Sequence, residues 1–463
     1  MESIGPALNF MDLNLKNSLS RISFEGIFNE NYFEISSKES NLILNLEISK
    51  AKIKNPITSE IENFIGLMIK SKYDGENINE SIDLSIALDN SSSMNNQIEV
   101  NKVKQNSRIN LSKDALSKLI LTLKDSDNLS LITFNDTTNI IFPLSTKKEC
   151  INNLNLIKEI KAKGGKNILI GLEEAIQNIS ESKKNNKRII IITDMLDEYC
   201  DNMNKNEKLK ELFKKSVNEL KIPITIIAIS GDSNTSLAYD LCKEQGCNFF
   251  TVFKDEDLDY FIMNNFRYFT FPNAYNLQIE LEYKNLEIEE CIGTGFKRDK
   301  FYINQNAPPI NFNENSIIKS KIIFEETSSF PSDLNISNSN LYQKGGLILI
   351  KFKNYNEEKQ SVNIRLNYLN REEEKISQNY CFEIDNIKGF SSNTIETGIS
   401  LYYFTDLIKE VFEKEKNNLL DEFNFSDILK IKEFLISHYK TYDEKGKNKK
   451  KYLDLLDEIY NNK

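Results

Sequence analysis

The chain has 463 residues, more than one ordinary core absorbs, and at roughly 100 to 200 residues per domain it implies two to four compact units. With 40% apolar and 28% charged residues it reads as a soluble globular sequence, and its formal charge of -10 repels phosphate backbones and anionic lipid, which argues against a nucleic-acid partner. Six scattered cysteines (Cys150, Cys200, Cys242, Cys247, Cys291, Cys381) lack any Cys-x-x-Cys, and one histidine, His438, is the sole helper; this excludes the usual zinc patterns and a disulfide framework and implies thiols in a reducing, cytoplasmic compartment.

Met1-Glu-Ser-Ile-Gly-Pro has no basic start followed by an apolar stretch, so no secretory signal is expected. No apolar run approaches the roughly 20 residues that cross a bilayer, so no membrane insertion is expected either. Residues 1–80 read as strands, through Leu42-Ile-Leu-Asn-Leu-Glu-Ile48 and Phe64-Ile-Gly-Leu-Met-Ile69. From about Ile82 strands alternate with helices. Strands are predicted at Asp83–Leu88, Leu129–Phe134, Asn139–Leu144, Arg188–Ile192, Ile222–Ile229 and Asn248–Val252. Helices are predicted at Leu111–Leu123, about Lys147–Ile160, Ile168–Ile179, about Lys205–Leu220 and near Leu237–Glu244. The run Arg188-Ile-Ile-Ile-Ile192 is apolar enough to be buried on both faces, as a central parallel strand must be. Such alternation predicts a doubly wound α/β domain over 81–270, with its ligands at the carboxyl ends of strands, near Leu88 and Ile192.

Beyond about Phe271 the pattern returns to strands. Asn276–Tyr283 alternates strictly, and Ile318–Phe324, Gly346–Phe352 and Ser361–Leu369 follow less perfectly. These suit a β-sandwich over 271–388, and the N-terminal strands, too few to close a sandwich alone, are expected to join it. From about Ser392 the chain reads as helical, with apolar residues three and four apart in Leu401–Phe412, Phe425–Tyr439 and Tyr452–Tyr460, giving a C-terminal helical region over 389–463. The basic run Lys445–Lys451 reads as a solvated face or linker without function. His438 reads as a surface or packing residue.

One constellation carries chemistry. Leu88-Asp89-Asn90-Ser91-Ser92-Ser93 follows the first strand of the α/β region directly, and one carboxylate with two hydroxyls supplies half the oxygen octahedron that Mg2+ favours. Asp194, after Arg188-Ile-Ile-Ile-Ile-Thr193, brings a second carboxylate from a neighbouring strand end. Ser91 and Ser93 as nucleophiles would lack a base, since no histidine lies in the region, and no phosphate loop with Walker spacing is present, so no enzymatic activity is expected.

Asp89-x-Ser91-x-Ser93, Ser130–Phe134, Gly164-Gly-Lys166-Asn-Ile168-x-x-Gly171-Leu and Ile-Ile-Ile-Thr193-Asp194 together resemble a von Willebrand factor type A (VWA) domain with its metal-ion-dependent adhesion site. The flanking β segments and terminal helices also resemble cytoplasmic and inter-α-trypsin-inhibitor-like VWA proteins. The resemblance implies a protein-binding or scaffold role. It places Asp89, Ser91 and Ser93 around Mg2+, brings in Asp194 directly or through water, and lets an acidic side chain of the partner complete the shell. An adaptor subunit of an enzyme complex, such as an AAA+ ATPase assembly, is the alternative.

Two departures stand out. Gly commonly follows the aspartate, where this chain has Met195, and the family's Gly-Gly-Thr-Asn appears as Gly164-Gly165-Lys166-Asn167. A charged lysine has no lone pair to replace the threonine oxygen. Two readings follow: Lys166 swings into solvent while water fills its place and Mg2+ binds more weakly, or its ammonium sits between Asp89 and Asp194 and replaces the metal. On the second reading Lys166→Thr alone is expected to restore binding.

Overall fold

A computed structural model describes residues 24–35, 42–71, 80–100, 103–194, 203–229, 237–238, 241–242, 247–252, 258, 266–283, 286–293, 302–303, 318–328, 332–333, 341–344, 346–354, 360–370, 374–384, 388–440 and 447–461. The chain divides into two compact units, one holding the described residues from 80 to 271, the other those of 24–71 and from 272 onward. In sequence, the first interrupts the second.

The opening elements are α1 (Phe24–Glu30), β1 (Tyr32–Ile35), β2 (Leu44–Lys54) and β3 (Ile61–Ser71). The α/β unit follows with β4 (Asp83–Asp89), a hairpin of β5 (Gln97–Val100) and β6 (Val103–Ser107), α2 (Arg108–Thr122), β7 (Asn128–Phe134) and β8 (Thr138–Thr146). It continues through α3 (Lys147–Asn152), α4 (Leu154–Glu159), α5 (Ile168–Ser180), β9 (Lys187–Thr193), α6 (Met203–Lys214), β10 (Ile224–Ile229), β11 (Asn248–Val252) and α7 (Phe266–Thr270).

Six of these strands form one sheet in the order β11-β10-β9-β4-β7-β8, parallel except for the β7–β8 pair. Alternate residues of each buried strand feed opposite cores, which is why the strands read as continuous apolar runs. Leu84, Ile86, Leu88, Ile190 and Ile192 pack with α2, whereas Ala87, Ile132, Phe134, Ile189 and Ile191 pack with Leu172, Ala175 and Ile179 of α5. The chain leaves β4 for β7 on one side and later returns to β9 on the other. The β4–β9 boundary is therefore the switch point at which open α/β sheets leave a crevice.

Several details depart from the sequence reading, among them the helix α1 (Phe24–Glu30) within the segment read as strands. The single helix expected over Lys147–Ile160 is two, because Asn153 ends α3 and begins α4. The hairpin β5–β6 occupies a stretch where no element was expected. Leu237–Glu244 is described only in part, so the helix expected there falls largely outside the described residues.

The second unit contains β12 (Pro272–Tyr283), β13 (Leu286–Ile292), β14 (Tyr302–Ile303), β15 (Ile318–Ser328), β16 (Ser332–Asp333), β17 (Leu341–Lys344), β18 (Leu347–Asn354), β19 (Gln360–Leu369), β20 (Lys375–Ile384) and β21 (Gly389–Phe390). Two five-stranded sheets, β14-β15-β12-β19-β20 and β13-β18-β3-β2-β21, face one another across a shared core. Leu44, Leu46, Ile65 and Leu67 on the N-terminal strands enter that core with Leu277, Ile279, Ile348, Ile364 and Leu366. β3 pairs with β18, so residues 61–71 are integral to a sheet completed far along the chain.

The helices α8 (Asn393–Lys416), α9 (Ser426–His438) and α10 (Lys447–Asn461) close the chain. Gly398 lets α8 lie flat on the sandwich: a Cβ there would meet Leu347 Cδ2 at 2.3 Å. Lys447–Lys451 forms the first turns of α10 with Lys450 exposed, and Lys449 Nζ donates to the carbonyls of Ile436 and Tyr439 at 2.9 and 3.0 Å. Cys150, Cys242, Cys247, Cys291 and Cys381 are free thiols, and Cys200 lies outside the described residues. Among the described residues no helix is long and apolar enough to cross a membrane.

Candidate functional site

Because β4 and β9 are adjacent and parallel, with Leu88 opposite Ile192, the residues that follow each strand emerge side by side. Asp89 and Asp194 meet there, both wholly buried. Asp89 Oδ1 accepts the Ser91 backbone N–H at 2.8 Å, which bends the chain sharply into a short 3-10 turn at Ser92–Asn95. Its other oxygen accepts the Thr193 hydroxyl at 2.7 Å. Ser91 Oγ and Ser93 Oγ are 3.1 Å apart, and the Ser93 side chain bonds Asp194. The four residues singled out from the sequence thus converge on one crevice.

Lys166 joins them. Its Nζ lies 3.1 Å from Asp89 Oδ2 and contacts Asp194 Oδ1, and the side chain is 8% exposed. The loop that carries it is tied down residue by residue. Lys163 donates its N–H to Asn90 O at 2.8 Å, Ser92 N and Oγ both bond Gly164 O, and Asn135 Nδ2 reaches Lys163 O at 3.1 Å. Asn95 Nδ2 holds Ala162 O at 3.1 Å, and Asp136 Oδ2 accepts the Gly165 N–H at 2.6 Å. Gly164 adopts φ 78°, and a Cβ on Gly165 would stand 2.4 Å from Asp136 Oδ1, so both glycines are required by the turn. Asn167 then begins α5.

A residue that the sequence reading missed completes the crevice. Arg108, the first residue of α2, sends Nη1 to Asp194 Oδ2 at 2.8 Å with its side chain 7% exposed. The sequence reading places the start of this helix at Leu111, three residues past Arg108. A usable signal was present: only seven of the 59 basic residues are arginine, and Arg108 directly follows Ser107, which caps α2 by accepting the Asn110 N–H. Burial alone would raise the Asp194 pKa, yet Lys166, Ser93 and Arg108 together hold it below the usual aspartate value.

The donor set decides what this crevice suits. A divalent ion needs oxygen lone pairs pointing at one centre, but both Asp194 oxygens and one Asp89 oxygen already face cationic nitrogens, which have no lone pair to give. In this arrangement the residues do not fit Mg2+. Among the described residues no group of three or more His, Cys, Asp or Glu side chains is placed to hold a metal. His438 is packed between Phe390 and Phe434, with Nδ1 3.0 Å from Glu396 Oε1, remote in sequence from this site.

Comparison with known proteins bears on the fold that carries this site. The von Willebrand factor type A domain profile matches residues 83–264. Among solved structures, a von Willebrand factor type A protein from Catenulispora acidiphila is 11% identical, with a TM-score of 0.54 over 91% of each chain. At that identity the likeness concerns the fold alone, and it extends over both units. The ArnB paralog VWA2 from Sulfolobus acidocaldarius is 12% identical over 90% of this chain and 98% of its own, with a TM-score of 0.43. BatB from Bacteroides thetaiotaomicron is 18% identical over 39% of this chain and 96% of its own, with a TM-score of 0.32. No curated protein sequence matches the chain.

Proposed function

Since residues 83–264 form a von Willebrand factor type A domain, we propose that this chain is a non-enzymatic protein-binding or scaffold protein whose crevice at Asp89, Ser91, Ser93 and Asp194 is held by Lys166 in place of a divalent cation. The observation that carries this reading is the Lys166 ammonium lying against both carboxylates, on a loop fixed from five sides. At about 4 Å and an effective dielectric near 20, each such pair gains roughly 4 kcal/mol before desolvation, enough to compete with a weakly held ion. The lysine is also attached to the chain, so its local concentration does not depend on supply.

A partner's acidic side chain then has no metal to complete. Recognition falls to the exposed rim of the crevice, where Ser92, Asn95, Asn96, Asp136 and Lys163 face solvent. No histidine lies within 83–264 to act as a base for Ser91 or Ser93, which supports a binding role over hydrolysis.

Calorimetric titration of the full chain with Mn2+ tests the reading. No binding up to millimolar ion is expected, and a captured partner should be retained equally in EDTA and in Mg2+. Micromolar Mn2+ binding by the wild-type protein would overturn it. Stoichiometric retention of an AAA+ ATPase would favour the adaptor role instead.

A further inference from the structure

We infer that Arg108 is a second cation lock on the same crevice, so that metal is excluded twice and Lys166→Thr alone does not reopen the site. This rests on the reading of Lys166 given above, but a different observation carries it.

Arg108 occupies the first turn of α2, where the partial positive charge of the helix N-terminus disfavours a cation and an acidic residue is the usual choice. Its guanidinium is also buried, and Nε finds no acceptor among the described residues. Propensity and solvation both argue against an arginine at this place. What offsets them is Asp194, whose Oδ2 receives Nη1 at 2.8 Å. The backbone fixes the approach: Arg108 N–H bonds Asn96 O at 3.0 Å, which ties the start of α2 to the turn that follows Asp89. Arg108 is therefore built into the crevice by α2, and each Asp194 oxygen has its own cationic partner.

Among the described residues, two carboxylates face one ammonium and one guanidinium. If Lys166 becomes threonine, an oxygen ligand is gained and one positive charge lost. Arg108 still occupies one Asp194 oxygen and repels an arriving dication from within a few ångströms. An accessible site requires both changes.

Mn2+ binding by the full chain, followed by calorimetry and by loss of the free-ion paramagnetic resonance signal, separates the cases. Lys166→Thr should remain close to the wild-type protein, whereas Lys166→Thr with Arg108→Met should bind at least ~30-fold more tightly, as expected when a unit charge beside a dication is removed at low effective dielectric. Lys166→Thr with Arg108→Lys keeps the charge and should stay refractory. Thermal unfolding with and without Mn2+ verifies the fold, and Arg108→Gln replaces Arg108→Met should the latter not fold. Binding by Lys166→Thr alone as tight as by the double variant would overturn the inference about Arg108 and leave the Lys166 reading standing. A folded double variant that binds no Mn2+ would overturn it as well. Tight binding by the wild-type protein would instead sink the Lys166 reading itself.

Discussion

Lys166→Met isolates the charge at the crevice, because methionine keeps much of the stem and removes the ammonium. The lysine side chain is 8% exposed and both acids 0%, so the ion pairs are shielded from solvent screening. Deleting one partner of such a buried group costs about 3 to 5 kcal/mol, since the remaining charges lose their compensation. In a domain of this size 1 kcal/mol moves the midpoint by about 2 to 4 °C, so the transition of the α/β unit should fall by roughly 6 to 20 °C. Differential scanning calorimetry of the full chain in EDTA reads this, with the transitions of the two units fitted separately. The cycle is completed with Asp194→Asn and the double variant. Once Asp194 is neutral, removing the ammonium should matter less, giving a coupling of about 1 to 3 kcal/mol. A drop under ~2 °C for Lys166→Met, or costs that add to within ~0.5 kcal/mol, would show that the acids do not hold the ammonium.

Two further predictions concern other parts of the fold. In the second unit, burial pushes the Glu62 carboxyl up, but hydrogen bonds from Lys351, Tyr403 and Asn55 and the Lys351 charge more than offset it, leaving its pKa below the ordinary 4.5. Because the folded value is the lower one, the stabilisation is present above the unfolded pKa and lost as pH falls through the folded one; the sandwich transition should weaken as pH falls below the ordinary 4.5, and Glu62→Gln should flatten that slope in a pH series of melts. In the α/β unit, a Cβ on Gly171 would meet Phe134 Cδ1 and Cγ at 2.5 Å. Gly171→Ala should therefore cost about 1 to 3 kcal/mol in urea unfolding despite its better helix propensity, and a stabilised variant would show that α5 can shift away from the sheet.

The parts of this architecture that were legible in the sequence are those with strong periodicity or strict placement. Arg188–Ile192 declared a central strand because both of its faces are buried, and Asp89 and Asp194 could be paired because each ends such a strand. The β5–β6 hairpin was not legible: Gln97–Ser107 has little apolar alternation and pairs only within itself. Strand β20 hid for another reason. Ile376, Tyr380 and Phe382 share their face with Gln378 while Lys375, Ser377, Asn379 and Glu383 line the other, and on an edge strand, where both faces are partly exposed, the pattern weakens. Arg108 was missed because its role is tertiary. Its partner lies 86 positions away, and no local rule places a cation at the start of a helix.

The placement of the two cations has a consequence for how the domain recognises anything. A bound ion exchanges with solvent and offers open coordination positions, so a partner can compete for it through a carboxylate. Lys166 and Arg108 cannot leave, and the loop that carries Lys166 is ordered on folding by contacts from Asn90, Ser92, Asn95, Asn135 and Asp136. On the proposed reading, the positive charge in the crevice is a property of the fold instead of the medium, and binding is expected to be insensitive to chelators. A partner's carboxylate gains little there, because the positive charge it would seek is already engaged by Asp89 and Asp194. On the proposed reading, affinity comes from shape and hydrogen bonds at the rim, where exposed groups not used to hold the loop, such as the Asn96 side chain, contribute about 0.5 to 1.5 kcal/mol each. A surface of that kind favours a partner held by several modest contacts over one held by a single metal-bridged anchor.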